Sequence, residues 1–224
     1  SFLLTYDKNK NYQYKFFIGV DDDDEFYNND NNINNFKRFI SIMKNVEIEF
    51  IHMNNIPKGH VTIIWNNLFK IAYDNNFQYF FQCGDDIEFK TKNWVEDCIS
   101  VLEKNDNLGV TGPINNNMRI LTQSFVSRKH MEIFGVYFPP EIVNWCCDDW
   151  INFVYYPKYI YPLRNHFCLN LGGEPRYIIN NDNSFNNDLY KNTQKLRKEC
   201  QEIVLKSKKV FNNYIKKNNY KKKL

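Results

Sequence analysis

The order of apolar runs predicts an α/β protein whose mostly parallel central sheet is covered by helices. Three observations carry this expectation. Strand-length apolar runs alternate with segments of helical periodicity through the first half of the chain. Acidic clusters follow two of those runs directly, Asp21-Asp22-Asp23-Asp24 after Val20 and Asp85-Asp86 after Gly84, at the strand ends where open sheets of this kind bind ligands. A long amphipathic segment, from Leu189 onward, closes the chain.

Taken in order, Phe2-Leu3-Leu4-Thr5 reads as a short buried strand and Tyr14 to Val20 as a second. The Asn-rich stretch Asn28 to Asn35 reads as a loop, followed by a helix with Phe36, Phe39, Ile40 and Met43 on one face. Glu47 to His52 is a third strand, and Pro57-Lys58-Gly59 a turn. Val61, Ile64, Trp65, Leu68, Ile71 and Ala72 recur at helical spacing, and the strand Gln78 to Cys83 comes next. A helix at Trp94 to Leu102 leads to a strand at Leu108 to Thr111, which Gly112-Pro113 breaks. The second half is less regular: a strand at Gln123 to Ser127, a helix at Arg128 to Phe134, an extended turn at Pro139-Pro140, a helix at Asp148 to Val154 and a strand around Tyr159 to Tyr161. These divide the chain into a domain over 1–179, a polar linker over 180–188 and an amphipathic helix with a lysine-rich end over 189–224. The apolar stripe of that helix is a surface for packing or for self-association into a homo-oligomer.

Composition narrows the class. With 224 residues, 43% of them hydrophobic, the chain can bury a sizeable core. No apolar run is long enough to span a bilayer, and no leader pattern stands at Ser1; the chain begins almost inside the first expected strand and so reads as an excised domain. Six cysteines without a Cys-x-x-Cys pair argue against a zinc site and for free thiols in a reducing, cytoplasmic compartment. The small net charge of +3 conceals a lysine-rich end that is not interleaved with the acidic clusters, which argues against a nucleic-acid channel.

The chemistry concentrates in Cys83-Gly84-Asp85-Asp86 and in Trp145-Cys146-Cys147-Asp148-Asp149-Trp150. Paired carboxylates at a strand tip suit Mg²⁺ or Mn²⁺, which take one or two carboxylates plus substrate oxygens. A second carboxylate pair suits proton abstraction from a hydroxyl.

The strand leading into Gly84-Asp85-Asp86, the downstream Asp148-Asp149 beside tryptophans and the late His166 together resemble the GT-A fold of nucleotide-sugar glycosyltransferases, of the inverting, family-2-like type, over about residues 2–177. That family carries Asp-x-Asp or a relative; here Gly84 stands in the first acidic position. The resemblance implies a metal-dependent transferase moving a sugar from a nucleotide sugar, a UDP-sugar, to a hydroxyl of a glycan or protein acceptor. It implies Mn²⁺ or Mg²⁺ on Asp86, Asp85 and His166, and Asp149 as the general base with Asp148 beside it. It implies donor contacts from Thr5, Tyr6, Asp21, Asp22, Gly84, Gly112 and Arg176, and acceptor contacts from Trp145 and Trp150.

Other readings compete. Gly-Asp-Asp also marks two-metal polymerases, though the chain is short for one. A sugar nucleotidyltransferase would carry a glycine-rich loop after its first strand, which Thr5-Tyr6-Asp7-Lys8 is not. A transferase-like module that only binds carbohydrate would have no need of the two acidic pairs.

Overall fold

A computed structural model of the chain describes residues 1–7, 12–172 and 189–220, with backbone only for 189–193. The first element is a helical turn, α1 (Phe2–Thr5), not the expected strand. The Thr5 hydroxyl closes it on the carbonyls of Ser1 and Phe2, and the Phe2 ring stacks on Tyr6 at 5.0 Å. Strand β1 (Tyr14–Asp21) pairs in parallel with β2 (Val46–Met53), Tyr14 opposite Val46 and Asp21 opposite Met53. Between them α2 (Asp30–Ile40) starts inside the Asn-rich stretch expected as a loop, because the Asn29 side chain accepts from the Asn31 amide and caps the helix.

Helix α3 (Val61–Asp74) works on two sides. Phe69 and Ala72 enter the main core, while Ile64 lies so close to β1 that a Cβ on Gly19 would meet its Cγ2 at 2.7 Å. The larger sheet contains β3 (Tyr79–Gln82), β4 (Ile87–Phe89), β5 (Val110–Ile114), β6 (Ser124–Ser127) and β7 (Ile160–Asn170) in the order β3-β6-β5-β7-β4. Only β5 and β7 run parallel in it; β6 is antiparallel to both neighbours and β4 is antiparallel to β7. The expected mostly parallel sheet is therefore a mixed one. The short connection 115–123 lets β6 turn straight back, whereas a parallel return needs a long crossover. Strand β5 also continues through Gly112-Pro113: its pairing with β6 stops at Thr111, so Pro113 sits where a missing N–H disturbs less of the ladder.

Helix α4 (Trp94–Lys104) covers one face of this sheet, packing Trp94, Cys98 and Leu102 with Phe89, Phe125 and Leu163. The other face carries α3, α5 (Lys129–Phe134), α6 (Cys147–Tyr155) and α7 (Leu189–Lys217). Alternation along β3 sends Tyr79, Phe81 and Cys83 toward α4, and Phe80 toward α3. Cys200, Val204 and Phe211 of α7 are buried in the same core as Trp150 and Tyr155 of α6, so of the two uses expected for the stripe its centre serves packing within the chain, while Val210 stays exposed. No helix among the described residues is long and apolar enough to cross a membrane.

Gly109 gives a stability test. Its φ is +124°, and a Cβ at this position would stand 2.3 Å from the Tyr159 carbonyl oxygen, so there is no room for a side chain. That carbonyl also accepts the Val110 amide at 2.9 Å. Gly109→Ala is expected to cost about 2–4 kcal/mol, read as a lowered urea midpoint.

Candidate functional site

A run of contacts links the three acidic clusters of the sequence along one rim of the molecule. Asp21 ends β1, and the Asp22 carboxylate accepts the Asn55 amide just beyond β2 at 2.9 Å. Asp23 pairs with Lys58 in the same loop. Two residues C-terminal to Asp22, Asp24 accepts the Phe26 and Tyr27 amides at 3.0 and 2.8 Å and folds the acidic loop back on itself. The Gly59 carbonyl accepts from Asn144, and Thr62 at the start of α3 bonds the Ile142 and Val143 carbonyls. The segment so held carries Trp145 and leads into α6. Asn152 of α6 then grips Leu121 from both sides, accepting its amide at 2.9 Å and donating to its carbonyl at 2.7 Å. The loop after β5 reaches on to β7, where Asn116 and Asn170 exchange two bonds, each 3.1 Å. Finally the Leu171 amide donates to the Asp86 carbonyl at 2.9 Å. Asp21–Asp24, Trp145 and Asp85-Asp86 thus stand on loops that this run of contacts joins to the first turn of α6, where Asp148 and Asp149 lie.

At the turn after β3, Asp85 is exposed and Asp86 half-buried. The Asp86 carboxylate folds back over Gly84: a Cβ there would meet its Oδ1 at 2.5 Å. Glycine at this position is what lets the Asp86 side chain take that path.

The two acids of α6 face different surroundings. Burial pushes the Asp148 carboxyl up to about 7, against a hydrogen bond from the Cys147 thiol and with repulsion from Asp149 adding to the rise. The N-terminal helix dipole would favour its ionised form by up to about 2 kcal/mol, but desolvation is the larger effect here. Its charge is felt by the buried Tyr137 hydroxyl, which donates to the Ser124 carbonyl at 2.8 Å and is also bonded by the Gln82 backbone amide. Asp149 instead lies toward α7, where its charge opposes ionisation of the Cys146 and Cys200 thiols, an effect smaller than the bond between those thiols, which lowers Cys146 and raises Cys200.

Several expected site residues lie elsewhere. Thr5 is buried in α1, its hydroxyl committed to the turn. Tyr6 is 6% exposed, stacked on Phe2 and bonded to Asn45, so neither ring face is open to a nucleobase. Trp150 is fully buried and its indole N–H donates to Ser207 at 3.0 Å; it has no face for a sugar ring. Trp145, at 63% exposure, does. Gly112 sits inside the sheet, where a Cβ would stand 2.9 Å from the Gln123 carbonyl, rather than along an open pocket. His166 is buried on a bulge of β7, with Nε2 bonded to Asp97 at 2.7 Å and Nδ1 to Thr91 at 3.1 Å. Thr91 lies beyond the far end of β4 from Asp86, so the histidine is removed from the acidic turn. No group of three or more His, Cys, Asp or Glu side chains among the described residues is arranged to hold a metal ion. Arg176 lies outside the described residues.

Three contributors to the rim escaped sequence reasoning. Asn152, Tyr137 and Gln82 position the loops between the acidic pairs, and the Gln82 side-chain carbonyl is buried without a partner among the described residues. The one signal in the sequence was Gln82 itself, a polar residue ending an apolar strand run two positions before Gly84. A groove of about 450 Å³ opens between the end of β2 and α3, lined by residues such as His52, Asn67 and Lys70, and none of the rim carboxylates lines it.

No family model matches this chain, and neither a curated protein nor a solved structure matches it.

Proposed function

We propose that this protein is a glycosyltransferase that moves a sugar from a nucleotide-sugar donor, a UDP-sugar, to a hydroxyl of a glycan or protein acceptor with inversion. The observation that carries the reading is Asp148: a half-buried carboxyl raised to about 7, on the same rim as Asp85-Asp86. A general base works best with a pKa near the operating pH, and a carboxylate at its ordinary value is a poor base for an alcohol. Asp148 takes the acceptor proton in this scheme, desolvation keeps its carboxyl high with repulsion from Asp149 adding to it, and the exposed face of Trp145 stacks on an acceptor ring.

Asp85 and Asp86 fit a hard divalent cation of the Mg²⁺ or Mn²⁺ kind, which needs few protein carboxylates when substrate oxygens fill its other positions. His166, engaged by Asp97 and Thr91, does not fit that shell. A cation held there would supply charge neutralisation to a diphosphate leaving group. The chain's own part is to hold Asp86 back over Gly84 and to fix the neighbouring loops through Asn116 and Asn170.

Calorimetry of UDP binding tests this arrangement. The native chain is expected to bind UDP only with Mn²⁺ or Mg²⁺ present, and Asp86→Ala to lose that binding by at least about tenfold. Equal affinity in the two proteins would remove the cation from Asp86. His166→Gln is expected to leave the metal dependence as it is.

A further inference from the structure

We infer that Cys146 and Cys200 form a reversible disulfide that ties α7 to the first turn of α6. Cys146 caps α6 in a left-handed conformation with φ of 77°, and Cys200 lies midway along α7. Cys200 Sγ turns to the backbone of Cys146, 3.9 Å from its carbonyl, and Cys146 Sγ turns to α7, 4.0 Å from the Leu196 carbonyl one helical turn before Cys200. The two thiols also bond to each other. Cys147, the remaining thiol nearby, turns to the Asp148 carboxylate at 3.6 Å instead.

Access and acidity separate the roles. Cys146 is partly exposed and Cys200 is 8% exposed. The bond from Cys200 holds the Cys146 thiol below its ordinary range, against burial and the charges of Asp149 and Glu199, while Cys200 is held above its own. The N-terminus of a helix favours a thiolate in the same place. Cys146 is therefore the attacking sulfur and Cys200 the resolving one.

The co-reactant is a small-molecule disulfide such as oxidised glutathione. The Cys146 thiolate attacks one of its sulfurs, forming a mixed disulfide and releasing one glutathione thiolate. Cys200 then gives up its proton and attacks Cys146 Sγ, releasing the second. The protein loses two thiol hydrogens and two electrons, and one glutathione disulfide becomes two glutathione thiols. In a reducing compartment the bond would form only when the glutathione pool shifts. A staple across positions 54 apart restrains the turn carrying Asp148 and Asp149. Any effect on transfer rests on the function proposed above; the bond itself does not.

The test is to equilibrate the full chain in graded mixtures of oxidised and reduced glutathione, quench with an alkylating agent and map the products by mass spectrometry. Two of the six thiols are expected to escape alkylation, with a Cys146–Cys200 cross-linked peptide, and the Tm is expected to rise by about 5 °C or more. Cys200→Ser is expected to stop at a single glutathione adduct on Cys146, and Cys146→Ser to stay unmodified at Cys200. A cross-link through Cys147, a wild-type chain that keeps a stable mixed disulfide, or six free thiols throughout would overturn the proposal. Because the mapping needs no substrate, its outcome is independent of whether the chain transfers sugar.

Discussion

Asp148→Asn is expected to abolish sugar transfer while making the protein more stable at neutral pH. Loss of a general base lowers kcat by about 10²–10⁴-fold. The stability gain follows from linkage. The native carboxyl keeps its proton up to about pH 7, whereas the unfolded one loses it near the ordinary value of 3.8. As pH rises between those values the unfolded chain sheds a proton that the native chain retains, and stability falls; above pH 7 both are ionised and the loss is complete. The full difference is about 4 kcal/mol. Asparagine carries no charge to desolvate, so the variant should be the more stable protein at pH 8, with little or no advantage at pH 4. Denaturant midpoints at the two pH values read this directly. Asp149→Asn should keep substantial activity, since Asp149 lies toward Cys146 and Cys200. An active Asp148→Asn beside an inactive Asp149→Asn would transfer the base assignment to Asp149.

Trp150→Ala is expected to be the most destabilising of the substitutions considered. The indole is fully buried among His130, Phe134 and Phe138, and its N–H is bonded to Ser207 of α7. Truncation leaves a cavity costing about 3–5 kcal/mol, and strands a polar hydroxyl at about 1–3 kcal/mol more. Much of that total equals the stability of an ordinary domain, so the variant should be largely unfolded or recovered poorly. Trp145→Ala is the contrast. At 63% exposure it should lie within about 0.5 kcal/mol of the native protein in urea, and its effect should appear as a raised acceptor KM. A Trp150→Ala protein with native stability would mean that α6 and α7 do not pack as described.

Periodicity made some of this legible and could not reach the rest. The stripe from Val61 to Ala72 and the runs of β1 and β2 announce themselves because their repeats match helix and strand over many residues. Phe2–Thr5 is too short to show a period, and its turn is decided by one threonine hydroxyl. The start of α2 inside Asn28–Asn35 is hidden because asparagine signals both loops and caps. Strand direction in the larger sheet is set by where the connections lead, which composition does not record. The same limit applies at the site. Asp85-Asp86 and Asp148-Asp149 are visible as adjacent acids, and the rim loops do link them. Neighbouring residues on a helix point about 100° apart, however, and only packing decides that Asp148 faces inward and Asp149 toward α7. Tyr6, Trp150 and His166 look like ligand-binding residues in isolation. Their engagement by Phe2, Ser207 and Asp97 arises from contacts that periodicity does not record.

The central claim is that a desolvated, half-buried acid on α6 serves sugar transfer from a UDP-sugar at the rim. Its most direct test is UDP release from UDP-sugars in the presence of Mn²⁺ and an acceptor, followed across pH for the native chain and Asp148→Asn. Release that climbs through an apparent pKa near 7 in the native chain and vanishes in the variant is the expected result. Equal release by both proteins, or none by the native chain across the common UDP-sugars, would contradict it.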